Sequence, residues 1–167
     1  MIDPQVSLPE DDGKADDPAV IMYSGGTTGV PKGCITTNLS MNILPYACYD
    51  TCPDVDVRGY NSLALMPVFH SFGLGISIHG MLCMGMHLFV LAKYDMEATT
   101  KLIFKNKIKM IYGVPALFHA ISRSEEIETQ DLSFMTHLVC GGDRLPVNLI
   151  NRMNGYLEKG GSKARLL

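Results

Sequence analysis

The sequence predicts an α/β fold, an open and mostly parallel sheet of about five strands with helices on both faces. Three observations lead there. Short apolar runs alternate with longer helix-like stretches from Pro18 to the C-terminus. The runs lack the polar alternation of a half-solvated strand, as expected where both faces are covered. Glycine- or proline-bearing loops follow several of them, and in such sheets ligands collect at the carboxyl ends of the strands.

In chain order, residues 1–17 read as an acidic linker, because six carboxylates with Pro4, Pro9 and Gly13 leave little to bury. The α/β unit occupies residues 18–167. Ala19–Tyr23 reads as a buried strand feeding a glycine-rich loop, and Thr37–Tyr49 as a helix opening in a Thr/Asn-rich, cap-suited stretch. Ser62–Val68 is strand-like and Gly73–Met84 a mostly apolar helix; His87–Leu91 is a strand and Met96–Asn106 an amphipathic helix behind Asp95 as its cap. Met110–Val114 is a strand, Pro115–Arg123 a helix with proline in its first turn, Met135–Cys140 a strand. Pro146–Glu158 is a helix with Gly160-Gly161 past its end, and Ser162–Leu167 reads as the start of another strand.

Composition narrows the function. A net charge of -3 without a basic cluster argues against a nucleic-acid surface. Lys105, Lys107 and Lys109 alternate with apolar positions and read as solvating a helix end. Five cysteines, spread out and without a C-x-x-C pair, fit a reducing compartment and thus a cytoplasmic protein better than a disulfide framework or a zinc site. The acidic N-terminus is no signal peptide. Leu63–Ala92 contains no Asp, Glu, Lys or Arg, yet Pro67, four glycines and three histidines cut it into short pieces. A buried strand, helix and strand accounts for it better than an integral membrane segment, which leaves a membrane anchor as the competing reading.

The loop Tyr23-Ser24-Gly25-Gly26-Thr27-Thr28-Gly29-Val30-Pro31-Lys32-Gly33 carries the strongest chemical signal. Glycines permit positive φ and let successive N–H groups turn inward around an anion. Ser24, Thr27 and Thr28 add neutral donors, and Lys32 adds a point charge suited to terminal phosphates. Neither the P-loop spacing nor the dinucleotide fingerprint fits, since Lys32 lies between Pro31 and Gly33 and the glycines are at 25, 26, 29 and 33.

This loop closely resembles the signature of the adenylate-forming superfamily, which includes acyl-CoA synthetases, luciferases and peptide-synthetase adenylation domains. Met66-Pro67-Val68-Phe69-His70-Ser71-Phe72-Gly73-Leu74 is similar to that family's Leu-Pro-x-Phe-His-x-x-Gly element. Gly141-Gly142-Asp143-Arg144-Leu145 is similar to its Gly-Gly-Ala/Asp-x-Leu element, and Tyr112-Gly113-Val114-Pro115 to the turn lining its acyl pocket. The resemblance implies that Ser24, Gly25, Gly26, Thr27, Thr28, Gly29, Lys32 and Gly33 hold the phosphates of ATP. An apolar or fatty carboxylate then attacks the α phosphorus, giving acyl-AMP and pyrophosphate, and coenzyme A displaces AMP. It further implies that Lys32 and His70 act in catalysis, His70 as a gate or orienting group at the carboxylate. Phe69, Gly73, Val114, Pro115, Gly141, Gly142 and Asp143 would line the acyl-adenylate pocket.

Two positions depart from the family pattern: Gly25 stands where a serine is usual, and Asn38 where many members carry histidine. The family's Tyr-Gly-x-Thr-Glu element, with the main Mg²⁺ ligand, is expected beyond Leu167, so no metal site is expected within this chain. The chain thus reads as a central piece of a large N-terminal domain, with the rest of the parent enzyme as its partner and no full turnover alone. The competing reading is a standalone nucleotide- or pyrophosphate-binding module without catalysis. The eleven methionines read as packing filler, and His79, His119 and His137 are assigned no role.

Overall fold

The computed structural model describes residues 7, 10–24, 29–50, 55–91 and 93–167. Its centre is a four-stranded parallel sheet in the order β4-β3-β5-β6, built from β3 (Asn61–Ala64), β4 (His87–Val90), β5 (Met110–Gly113) and β6 (His137–Cys140). Leu63 pairs with both Phe89 and Ile111, and Ile111 pairs with Leu138, so one row of side chains crosses the sheet. The chain end adds to it. Leu166 bridges Leu138 in parallel, and Cys140 N donates to Leu167 O at 2.7 Å, which places the final residues beside β6.

Successive strand residues face opposite sides, and two cores follow from that period. On one face Leu63, Ile111 and Leu138 pack with Ile103, Leu117, Phe118, Ile121, Met153 and Leu157. These come from α3 (Met96–Lys105), α4 (Pro115–Ile121) and α6 (Val147–Lys159), joined there by α5 (Glu125–Thr129) through Ile127. On the other, Met110 and Tyr112 pack with Cys48 of α1 (Asn38–Tyr49), Met81 of α2 (Met81–Cys83), and Met84 and Met86. Helices on both faces are what buries every residue of β5. Methionines at 81, 84, 86 and 110 dominate the second core, the filler role that flexible thioethers suit.

Capping sets where helices begin. Thr37 Oγ1 accepts from Ser40 N at 3.2 Å and Asp95 Oδ1 from Ala98 N at 2.7 Å, both satisfying orphan amides of a first turn. Two buried hydroxyls find carbonyls: Ser62 Oγ donates to Met110 O at 3.1 Å and Ser162 Oγ to Met135 O at 2.7 Å. Lys107 and Lys109 do more than solvate a helix end. Their ammonium groups lie 4.7 Å and 4.1 Å from the ring centroids of Phe134 and Tyr60, close enough for cation–π attraction.

Three sequence expectations need correction. Ala19–Tyr23 belongs to β1 (Pro18–Ser24), but β1 is no member of the parallel sheet. It pairs antiparallel with β2 (Lys32–Thr37), Ser24 opposite Lys32 and Tyr23 opposite Gly33. The glycine-rich stretch therefore links two strands of a hairpin instead of a strand and a helix. The β-branched run Ile35-Thr36-Thr37 favours that second strand, and the helix is deferred to Asn38. Nor is β1 buried: Ile21 is 56% and Tyr23 71% exposed. Finally, Phe72–Gly80 is a wide-turned π-helix continued by α2, in a run where Gly73, Gly75 and Gly80 leave the backbone little side-chain restraint.

Candidate active site at the carboxyl edge of the sheet

The loop after β3 closes on itself around a glycine. A Cβ on Gly73 would sit 2.7 Å from Met66 O and 2.5 Å from the Pro67 carbonyl carbon, and would overlap Pro67 O. Only a residue without a side chain lets the π-helix start this close to the strand exit. The closure is tied by His70 N donating to Pro67 O at 3.1 Å and Leu74 N donating to His70 O at 3.0 Å. The exposed imidazole of His70 accepts the Phe72 N–H on Nδ1 at 3.1 Å. In the neutral ring the proton then resides on Nε2, leaving that nitrogen as the donor.

Across the edge lies the turn after β6. Gly141 N donates to Gly113 O at 2.9 Å, joining the exits of β5 and β6. Gly142 has φ +80, and its Cβ direction is met by Val114 Cγ1 at 3.4 Å. The Cβ direction of Gly141 is met by the Phe72 ring at 4.0 Å. His70, Gly73, Val114, Gly141 and Gly142 therefore belong to one connected carboxyl edge, with Pro115 starting α4 directly behind Val114. Phe69 does not share this contact: it is 80% exposed, whereas the half-buried Phe72 abuts Gly141. Phe72 was absent from the sequence-derived pocket, although its place two residues after His70 was the available signal.

The electrostatics of the turn are uneven. Burial, with the Asp143 carboxylate adding to it, pushes the Cys140 thiol up to about 11, so it stays protonated at neutral pH. Asp143 is exposed, and its Oδ1 accepts the neighbouring Arg144 N–H at 2.6 Å. Cys140 is a second residue that pattern reading overlooked, since a strand cysteine carries no motif.

Of the residues expected to bind phosphate, Ser24, Gly29, Lys32 and Gly33 lie along the hairpin. Ser24 and Lys32 are exposed at the facing ends of β1 and β2, with Ser24 Oγ donating to Lys32 O at 3.4 Å. Gly29 has φ +80 and open space where a Cβ would be. Gly33 lets the opposite strand close in, its Cβ direction meeting Ile21 Cγ2 at 3.1 Å. Gly25, Gly26, Thr27 and Thr28 lie outside the described residues. The sequence placed this loop on the carboxyl edge of the parallel sheet together with the His70 and Gly141 loops. The structure brings the latter two together and puts the hairpin in a separate sheet, linked through α1. That helix packs on the π-helix, where a Cβ on Gly75 would meet Leu44 at 2.7 Å. Asn38 starts α1 and donates to Lys14 O at 2.9 Å, tying residues 14–17 to the helix start.

An exposed ammonium, a hydroxyl and an open positive-φ glycine fit a polyphosphate. A divalent ion has no comparable cradle: among the described residues no group of three or more His, Cys, Asp or Glu side chains stands together. Among the same residues no helix is long and apolar enough to cross a membrane.

The AMP-binding enzyme family matches the chain over residues 3–163. The chain belongs to that family, within the adenylate-forming superfamily. A feruloyl-CoA synthase of an Amycolatopsis species is 30% identical over 148 residues, spanning 87% of this chain and 28% of that protein. A long-chain-fatty-acid–CoA ligase of Bacillus subtilis (strain 168) is 31% identical over 133 residues, spanning 80% of this chain and 24% of the other. Among solved structures, the inhibitor-bound N-terminal domain of FACL13 from Mycobacterium tuberculosis superposes with a TM-score of 0.78 at 25% identity, covering 95% of this chain and 37% of that one. A red-emitting luciferase from Phrixothrix hirtus gives 0.75 at 26% identity over 94% of this chain and 30% of its own. This AMP-binding chain thus spans about a quarter of the length of the curated relatives it matches.

Proposed function

We propose that this AMP-binding chain carries the phosphate- and acyl-handling part of an AMP-forming acid–CoA ligase acting on an apolar carboxylic acid. The observation that carries the reading is the joined carboxyl edge, where His70, Phe72 and the Gly141-Gly142 turn meet, with the Lys32 hairpin attached through α1. Lys32, with Ser24 and the hydroxyls of Thr27 and Thr28, holds the β and γ phosphates of ATP. The substrate carboxylate, oriented by the Nε2–H of His70, attacks the α phosphorus. An acyl-AMP forms, pyrophosphate leaves, and the thiol of coenzyme A then attacks the acyl carbon and releases AMP. Charge stabilisation and positioning are the work required of the protein here. Phe72 and Val114 supply apolar walls beside glycines that admit the adenylate. Exposed thiols at Cys34 and Cys83 fit a reducing, cytoplasmic setting.

The placement of the Lys32 hairpin in a sheet of its own, apart from the His70 edge, favours a second reading, in which the chain binds nucleotide or pyrophosphate without turning over. Titration of ATP with and without feruloyl-type and fatty acids separates the two. Under the first reading an apolar acid tightens ATP binding, because the carboxylate at the His70 edge meets the α phosphate of an ATP whose β and γ phosphates the hairpin holds, while the chain alone makes no acyl-CoA. Under the second, ATP binds equally well with or without acid. Absence of ATP binding contradicts both, and acyl-CoA synthesis by the pure chain contradicts the expected lack of turnover.

A further inference from the structure

The Lys32 hairpin and the His70 edge belong to different sheets, and a short path through two helices joins them. β2 passes into α1 without a loop, Thr37 both ending the strand and capping the helix, so a shift of the hairpin is carried into α1. At the other end the π-helix begins at Phe72, whose N–H donates to His70 Nδ1, so a shift of the π-helix is carried into the imidazole. The placement of α1 against the π-helix therefore sets where Lys32 stands relative to His70.

Packing alone sets that placement weakly. Leu44 and Cys48 of α1 face Gly75 and Gly80, which present no side-chain ridge to lock a neighbouring helix. Beside them a hollow of about 320 Å³ lies between β1, α1 and the π-helix, bounded by Val20, Met41, Asn42, Leu74 and His79. Side chains along a hollow lack the contacts that hold close-packed elements in one arrangement. Two residues of its wall supply a directional contact instead. Asn42 Oδ1 lies 3.1 Å from His79 Nε2, with the ring N–H as donor. Cys83 Sγ is farther from the same nitrogen, at 3.6 Å, and sulfur is the weaker acceptor.

We propose that the Asn42–His79 hydrogen bond is the positioning contact that registers α1 against the π-helix, and that it couples polyphosphate bound at the hairpin to the carboxylate oriented by His70. Neither side chain is assigned a contact with a ligand; both act through the helices that carry Lys32 and His70. With the contact in place, a ligand that orders the hairpin also orders the start of the π-helix, and the coupling is reciprocal. The carboxylate half rests on the ligase reading. The link from the hairpin to the Phe72 amide does not.

The test titrates pyrophosphate into the purified chain, following affinity by calorimetry and the Phe72 amide by NMR, and then titrates ATP with and without decanoate. Asn42 is exposed, so Asn42→Leu removes the acceptor and keeps the fold, while Asn42→Asp retains an acceptor. Pyrophosphate is expected to shift the Phe72 amide signal in the wild type and in Asn42→Asp. In Asn42→Leu and in His79→Leu the shift is largely lost although pyrophosphate binds as tightly as before. The enhancement of ATP binding by decanoate falls in both by about 2- to 10-fold, the scale of one hydrogen bond. The double variant loses no more than either single one, as expected of partners in one contact. The proposal is overturned by no Phe72 shift in the wild type, an equal shift or an undiminished decanoate enhancement in Asn42→Leu, or Asn42→Asp behaving as Asn42→Leu. A joint fall of pyrophosphate affinity and Phe72 shift also overturns it, since that marks general loosening. Failure of the ligase reading would appear instead as ATP binding indifferent to decanoate in the wild type, while the Phe72 response still depends on Asn42.

Discussion

The Phe72 N–H donates to His70 Nδ1 at 3.1 Å, so one nitrogen of the imidazole is committed to the backbone and the other is available to a ligand. The two roles can be separated. His70→Asn keeps an acceptor near the Phe72 amide but lacks the reach of Nε2, whereas His70→Ala loses both. Acid-enhanced ATP binding is expected to fall in both variants and to be largely lost in His70→Ala, coupling between two ligands being typically about 5- to 150-fold. Retention of the enhancement in His70→Ala would remove His70 from the site.

Gly73 tests whether loop closure is structural. An added methyl would meet backbone carbonyls of Met66 and Pro67, which cannot rotate away as a side chain can. Gly73→Ala is expected to cost about 1–3 kcal/mol, the range for forced overpacking. At roughly 2–4 °C per kcal/mol for a chain of this size, calorimetry would register a drop of several degrees. An unchanged Tm would show that the loop has room.

Much of this architecture was legible beforehand, and the failures have physical causes. Helix starts at Thr37 and Asp95 follow from capping chemistry, and β5 from an apolar run whose two faces meet different cores. The hairpin was not legible, because an apolar strand ahead of a glycine loop looks the same whether the next element is a helix or a strand. What decides is pairing between Tyr23 and Gly33, a contact across the loop. The site divides similarly. Motif spacing located His70 and the Gly141 turn, but which aromatic packs on Gly141 is set by the π-helical winding, and this selects Phe72 over Phe69.

The first core depends on Phe118, which is fully buried among Leu117, Ile121 and the α6 residues. Phe118→Ala is expected to destabilise by about 3–5 kcal/mol. Chemical denaturation should show a lower midpoint with little change in slope. A loss below 1 kcal/mol, the scale of ordinary surface changes, would mean the pocket under α4 is not packed as described.

Cys140 predicts a pH dependence. Its thiol is raised from 9.0 to about 11 by burial and by Asp143, so the folded chain holds the proton where an unfolded chain has released it. The native state thus binds more protons between those values, and stability falls as pH rises through that window. Below pH 9 this contribution is complete. Cys140→Ser is expected to flatten the decline measured by denaturation from pH 9 to 11, and Asp143→Asn to lessen it. An identical decline in Cys140→Ser would assign it to other groups.

The claim at the centre is that the Lys32 hairpin holds a polyphosphate. Calorimetric titration of ATP and of pyrophosphate into the wild-type chain and into Lys32→Ala tests it directly. Lys32 is exposed, so the variant keeps its fold. A charge-assisted contact contributes about 1.5–3 kcal/mol, and the account predicts saturable binding of both ligands that weakens by roughly 10- to 100-fold in the variant. Absence of binding, or binding of equal strength with and without Lys32, would contradict it.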